Sequence, residues 1–191
     1  MSPNPMSPDT LEPPEPGPEE ARLSLTDHVI AKGCEIFAKY GPQIGWRELQ
    51  SILADRDCVR YPCELVFDDR CLEPDELAFP APKGERPEDG FTLYVHPYFS
   101  LDTARVPLIA LYQLVLVNYG SFAAPRDAEF FAAAALGVDR EEYYSALCSM
   151  ADEISSSHLL DEAAGPDQEQ AECSSGGSCS CGGTGESCHS S

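Results

Sequence analysis

The stretch that decides the fold runs over residues 104–120, ARVPLIALYQLVLVNYG. From Val106 to Val117 only Pro107 and Gln113 interrupt a run of aliphatic residues and Tyr112. Pro107 suits the first turn of a helix, where its missing N–H costs nothing. Leu108, Ile109, Leu111, Leu114, Val115 and Val117 then cover nearly the whole circumference, and a helix that is apolar all round belongs inside a packed domain. The run is well short of the ~20 apolar residues that a transmembrane helix needs. Residues 104–119 are therefore expected to form a buried central helix.

Upstream, the apolar period changes from helical to alternating. Phe91, Leu93 and Val95 alternate with Thr92, Tyr94 and His96, and Tyr61, Cys63, Leu65 and Phe67 alternate with Pro62, Glu64, Val66 and Asp68. Both patterns read as half-buried strands. The acidic connection between them, residues 69–90, offers a short edge strand at Leu77-Ala78-Phe79, which matters because two strands alone are marginal. Earlier still, Ser24 or Thr26 can cap a helix whose inner face is Val29, Gly33, Ile36, Phe37 and Tyr40, ended by Gly41-Pro42. Trp46, Leu49, Ile52 and Leu53 mark a second.

Downstream of the central run, Pro125 opens a helix with Ala128, Phe131, Ala132 and Ala135 inward and Gly137 at its end. Asp139 and Glu142 have capping-box spacing, and Val138 can pack on Tyr143, before Leu147, Met150, Ala151 and Ile154 continue the inner face. The order implies an α+β fold, with a short antiparallel sheet of two or three strands packed by about five helices around the central one.

The two ends differ from this body. Residues 1–24 hold Pro3, Pro5, Pro8, Pro13, Pro14, Pro16 and Pro18 among acids, a composition expected to stay disordered. With no basic start and no apolar core, this arm does not read as a signal peptide. Residues 155–191 turn to serine, glycine, acids and cysteine, the make-up of a flexible tail. The expected organisation is an arm over 1–24, one globular domain over 25–154 and a tail over 155–191.

The formal charge is −21, and every Lys and Arg lies between Arg22 and Arg140. Acidic tails without counterions disfavour nucleic acid and anionic membrane surfaces, which are bound through clustered Lys and Arg. A protein partner fits better. Nine cysteines, an odd number, without an export signal point to reduced thiols in a cytoplasm.

The densest ligand set is CSSGGSCSCGGTGESCHSS, with Cys173, Cys179, Cys181, Cys188 and His189. Thiolates favour zinc, copper(I) or an iron–sulfur cluster, although the C-x5-C, C-x-C and C-x6-C-H gaps depart from structural zinc spacings. Ordering residues 173–189 in full costs about 17–34 kcal/mol at ~1–2 kcal/mol per residue, against ~10–16 kcal/mol returned by a structural zinc. One ion can clamp Cys179, Cys181 and Cys188 locally but cannot order the whole segment, which suits metal transfer or sensing. The plain alternative is a tail with incidental thiols.

A second candidate is His96, placed by strand phase on the same face as Glu64 and Asp68. A histidine beside carboxylates is raw material for acid–base catalysis; the plain alternative is a histidine capping a strand end. A third is Cys58, Cys63 and Cys71, spaced C-x4-C-x7-C, against a packing role for Cys63 in phase with Leu65 and Phe67. Cys34 and Cys148 are expected to pack within helices, since free cysteine is among the most buried residue types. Phosphate-loop, dinucleotide, serine-hydrolase and zinc-protease motifs are absent. The sequence thus points to a non-catalytic cytoplasmic accessory or binding protein whose tail binds or delivers a soft metal. The alternatives are a hydrolase or transferase using His96 with Glu64 or Asp68, and a plain interaction domain with no metal.

Overall fold

Pro107 occupies the first turn of the central helix, and Ile109, Leu111, Leu114 and Val115 along it are fully buried. The computed structural model describes residues 17–163. In chain order the elements are α1 (Pro18–Tyr40), α2 (Trp46–Ala54), β1 (Cys63–Phe67), β2 (Ala78–Pro82), β3 (Phe91–Val95), α3 (Val106–Tyr119), α4 (Pro125–Leu136) and α5 (Arg140–Ala163). The class is α+β, with five helices and one three-stranded sheet.

The sheet is mixed rather than antiparallel throughout, which corrects the sequence expectation. Its order is β1-β3-β2, with β1 parallel to β3 and β2 antiparallel to it. The antiparallel expectation assumed that successive strands lie side by side. Here the chain leaves Phe67, crosses past the end of β3 and starts β2 opposite Val95 on the far edge. It then returns through a turn closed by the Lys83 N–H on the Gly90 carbonyl (2.9 Å). The returning strand fills the middle and must run parallel to β1. Pro80 and Pro82 confine β2 to an edge, because each lacks a ladder donor.

The two polar side chains of α3 that face inward each complete a backbone bond elsewhere. Gln113 donates from Nε2 to the Ala78 carbonyl (2.7 Å), fixing the edge strand against the helix. Asn118 accepts the Arg60 N–H at Oδ1 (2.8 Å) and donates from Nδ2 to the Cys58 carbonyl (2.9 Å). Such bonds let a buried amide sit in an apolar core at little net cost.

α1 meets α4 at Gly33, where an added Cβ would lie 2.5 Å from the Phe131 carbonyl oxygen and 2.8 Å from the Ala134 Cβ. The apolar stripe Val29, Gly33 and Ile36 is buried as its spacing implies. The helix start differs from expectation. Ser24 and Thr26 lie inside α1, which begins at Pro18 after Gly17 with Glu19 and Glu20 in its first turn. Proline is favoured in a first helical turn and acids suit the positive end of the helix dipole, so the last proline of the arm opens the helix. Thr26 instead donates its hydroxyl to Asp127 Oδ1 (2.7 Å), and Asp127 Oδ2 accepts the Ala124 N–H (2.9 Å) at the start of α4.

Gly137 ends α4 in the left-handed region (φ 68°), with the Val138 N–H on the Ala133 carbonyl (3.1 Å). Asp139 caps α5 by accepting the Glu141 N–H at Oδ1 (2.8 Å). Tyr143 donates its hydroxyl to the Leu108 carbonyl (2.7 Å), and Arg105 grips Glu153 through two bonds (2.8 and 2.9 Å). These tie α5 across the first turn of α3.

Candidate functional site

His96 ends β3 and caps the following 3-10 turn, Pro97–Ser100, by accepting the Tyr98 N–H at Nδ1 (3.2 Å). Glu64 faces Thr92 across the strands, four positions before His96, which is about 13 Å along a strand. Its carboxylate pairs with Lys83 (2.8 Å) and accepts the Thr92 hydroxyl (3.2 Å). That Lys83 bond, then the Thr92 bond, lowers its pKa. Asp68 lies nearer His96, since its N–H bonds the Val95 carbonyl (3.0 Å). Its carboxylate, however, takes the Arg70 guanidinium and the Arg70 N–H, which hold its pKa down at about 2. The sheet therefore separates Glu64 from His96, and each carboxylate has a cation of its own.

The body cysteines spread out. Cys63 is half-buried at the start of β1, and burial pushes its thiol up to about 11. Cys58 donates from Sγ to Asp55 Oδ2 (3.2 Å), and burial followed by this bond pushes it up to about 12. Thiols held protonated are poor nucleophiles and poor metal ligands. Cys71 is exposed, and so are Cys34 and Cys148, contrary to the expectation that these two pack within helices. At ~100° per residue, Cys34 turns away from the seam that holds Gly33, and Cys148 turns away from Leu147 and Met150. Among the described residues, no group of three or more His, Cys, Asp or Glu side chains is placed to hold a metal ion. Cys173, Cys179, Cys181, Cys188 and His189 lie outside the described residues.

The structure does assemble a site that the motif reading passed over. A cleft of about 460 Å³ lies between α1, the loop from α2 to β1 and the C-terminal end of α3. α1 supplies His28, Lys32 and Lys39, the loop supplies Arg56 and Arg60, and α3 supplies Asn118 and Tyr119. Four of the chain's twelve Lys and Arg residues thus line one concavity in a protein of charge −21. The acids on its lining are Glu35, which pairs with Lys32 (2.7 Å), and Asp57, which stands 3.8 Å from Lys39. Arg56 and Arg60 have no carboxylate partner among the described residues.

The loop that carries these arginines is held from three sides. Asp55 accepts Lys39 Nζ (2.5 Å), the Tyr40 hydroxyl (2.8 Å) and the Cys58 thiol at Oδ2, and the Asp57 N–H (3.0 Å) at Oδ1. The Lys39 bond and then the Tyr40 bond hold its carboxyl well below the ordinary range. Burial and the same contact push the Tyr40 phenol up to about 12. Val59 plugs into the core, and the two Asn118 bonds fasten the backbone on either side of it. The wall opposite is aromatic, with His28 edge-on to Tyr119 (ring centroids 5.7 Å apart). A cavity in the ~300–1,000 Å³ range with a few fixed polar groups has the dimensions of a small-molecule site. The charge of this one fits an anion.

No protein-family model, no curated protein and no solved structure matches the chain.

One signal for the cleft was present in the sequence. His28, Lys32, Glu35 and Lys39 recur at i, i+4, i+7 and i+11, one position behind the apolar stripe of the same helix. The arginines of the loop carry no such pattern, and only the fold brings them to that face.

Proposed function

We propose that the protein is a non-catalytic binding protein of the cytoplasm, whose folded domain takes an anionic ligand in the cleft between α1 and α3. The observation that carries this reading is the convergence of Lys32, Lys39, Arg56 and Arg60 on one concavity in a strongly acidic chain. Cations on a fixed frame recognise anions, and a surrounding negative field sharpens the contrast between this patch and the rest of the surface. The five described cysteines are free thiols, three of them exposed, a state that a reducing cytoplasm maintains.

The second half of the proposal concerns the tail. Cys173, Cys179, Cys181 and Cys188 with His189 bind zinc, copper or an iron–sulfur cluster for delivery to a protein partner. It is supported by the concentration of soft donors in that segment and by the dispersal of the body thiols, of which Cys58 and Cys63 are held protonated.

Both halves are tested on the full chain. Calorimetry with anions is expected to show binding that weakens as salt rises, because exposed charges are screened beyond about 8–10 Å at physiological ionic strength. Metal content of anaerobically purified protein, set beside C179S/C181S/C188S, is expected to fall in the variant. Equal metal in the two proteins contradicts the tail assignment.

A further inference from the structure

We infer that Arg56 and Arg60 form a phosphate-binding end of the cleft, and that its ligand is a small molecule bearing a phosphomonoester. This rests on the reading of the cleft as an anion site and names the anion. The two lysines of the cleft already have carboxylate partners, Lys32 with Glu35 and Lys39 with Asp55. The two guanidiniums do not, and they project from a single turn of backbone fixed by Asp55 and Asn118.

Charge and shape decide between anions. A carboxylate carries one negative charge on two oxygens in a single plane, whereas a phosphomonoester presents three terminal oxygens in a tetrahedral array, so that two guanidiniums can each face a different pair of them. Its charge of about −1.5 to −2 near neutral pH also matches two uncompensated guanidiniums. The cavity of about 460 Å³ is larger than a phosphate group alone, so there is room for a ligand body. Tyr119, half-buried and braced edge-on by His28, supplies the surface against which that body lies.

Another pair of arginines without carboxylate partners, Arg22 and Arg126, lines a separate groove beside Phe122. Arg126 stacks over Phe130 (5.2 Å to the ring centroid), as Arg60 does over Tyr61 (5.4 Å), but Arg22 and Arg126 come from different helices. That groove, fastened by Thr26 and the Ala124 N–H on Asp127, presents its arginines from two elements rather than from one turn and serves as the internal control.

The experiment is isothermal titration of the full chain with AMP, inorganic phosphate and citrate, each in the wild type, R56Q/R60Q and R22Q/R126Q, with circular dichroism to verify folding. AMP is expected to bind the wild type and inorganic phosphate to compete with it. R56Q/R60Q is expected to weaken AMP by about tenfold to hundredfold, the effect of losing charged hydrogen bonds, and R22Q/R126Q to leave it unchanged. AMP binding that survives in folded R56Q/R60Q, or that is lost in R22Q/R126Q, overturns the assignment. Citrate binding without AMP binding overturns the phosphate class while the anion reading stands. Silence with all three anions removes both.

Discussion

Along α1, Val29, Gly33 and Ile36 pack into the core and against α4, whereas His28, Lys32 and Lys39, one step round the same helix, line the cleft. The seam is made by size. At Gly33 even a methyl group meets the Phe131 carbonyl and the Ala134 Cβ. The cleft is made by charge and remains open, and the His28, Lys32 and Lys39 side chains on it are exposed or half-buried. One helix therefore carries a face that tolerates no added atom beside a face that stays open to solvent. The difference separates residues that hold the structure by close packing from residues that present charge to the cleft.

The sharpest way to break this contrast is Gly33→Ala. The atom it meets at 2.5 Å is backbone, so relief requires α1 and α4 to move apart. Overpacking of this kind costs about 1–3 kcal/mol, and we expect the upper end, read as a lowered midpoint in urea denaturation. An unchanged midpoint would show that the seam is looser than the structure makes it.

Asn118→Ala joins the two faces, because it removes both bonds that fasten the loop of Arg56 and Arg60 to α3. The loss of two bonds, with the Arg60 N–H and Cys58 carbonyl left to find other partners, is expected to cost about 2–3 kcal/mol. Anion binding should weaken beyond what stability explains, since the arginines lose the part of their frame that α3 supplies. Normal binding by the folded variant would mean that the loop needs no anchoring from α3.

The smallest effect is on pH dependence. Asp55 has a folded pKa below its ordinary value of 3.8, held there first by Lys39 and then by Tyr40. A depressed carboxylate stabilises the fold fully above its unfolded pKa, and that contribution is lost as the pH falls below about 4 toward the folded value. Asp55→Asn is expected to be less stable than the wild type at neutral pH, with the gap closing under acid. A gap independent of pH would assign the effect to lost packing instead of charge.

Much of the fold was legible because period and punctuation agree. The unbroken apolar run of α3, the alternation in β1 and β3, and Pro125 with Gly137 around α4 each have one structural solution, and the structure adopts it. The direction of β1 was not legible. It depends on which side of β3 the connection over residues 69–77 passes, and the side-chain pattern of a strand is the same in either direction. Ser24 and Thr26 are good capping residues by type, yet Pro18 starts the helix earlier, so local preference alone misplaced the end.

The site was less legible than the fold. Histidine, carboxylates and cysteines draw attention by chemistry, but Glu64, Asp68 and Cys58 turn out to be engaged by Lys83, Arg70 and Asp55. The cleft is built from surface cations that look ordinary one at a time. Arg56 and Arg60 gain meaning only from where Asn118 and Val59 hold their loop.

The most direct test of the cleft as a ligand site is an amide proton–nitrogen NMR titration of the isotope-labelled full chain with AMP. The expected result is a set of saturable shifts confined to residues 28–39, 55–60 and 118–119, with the amides of Arg56 and Arg60 among the largest. Shifts centred on residues 121–127 beside Arg126, or no shifts at all, would contradict it.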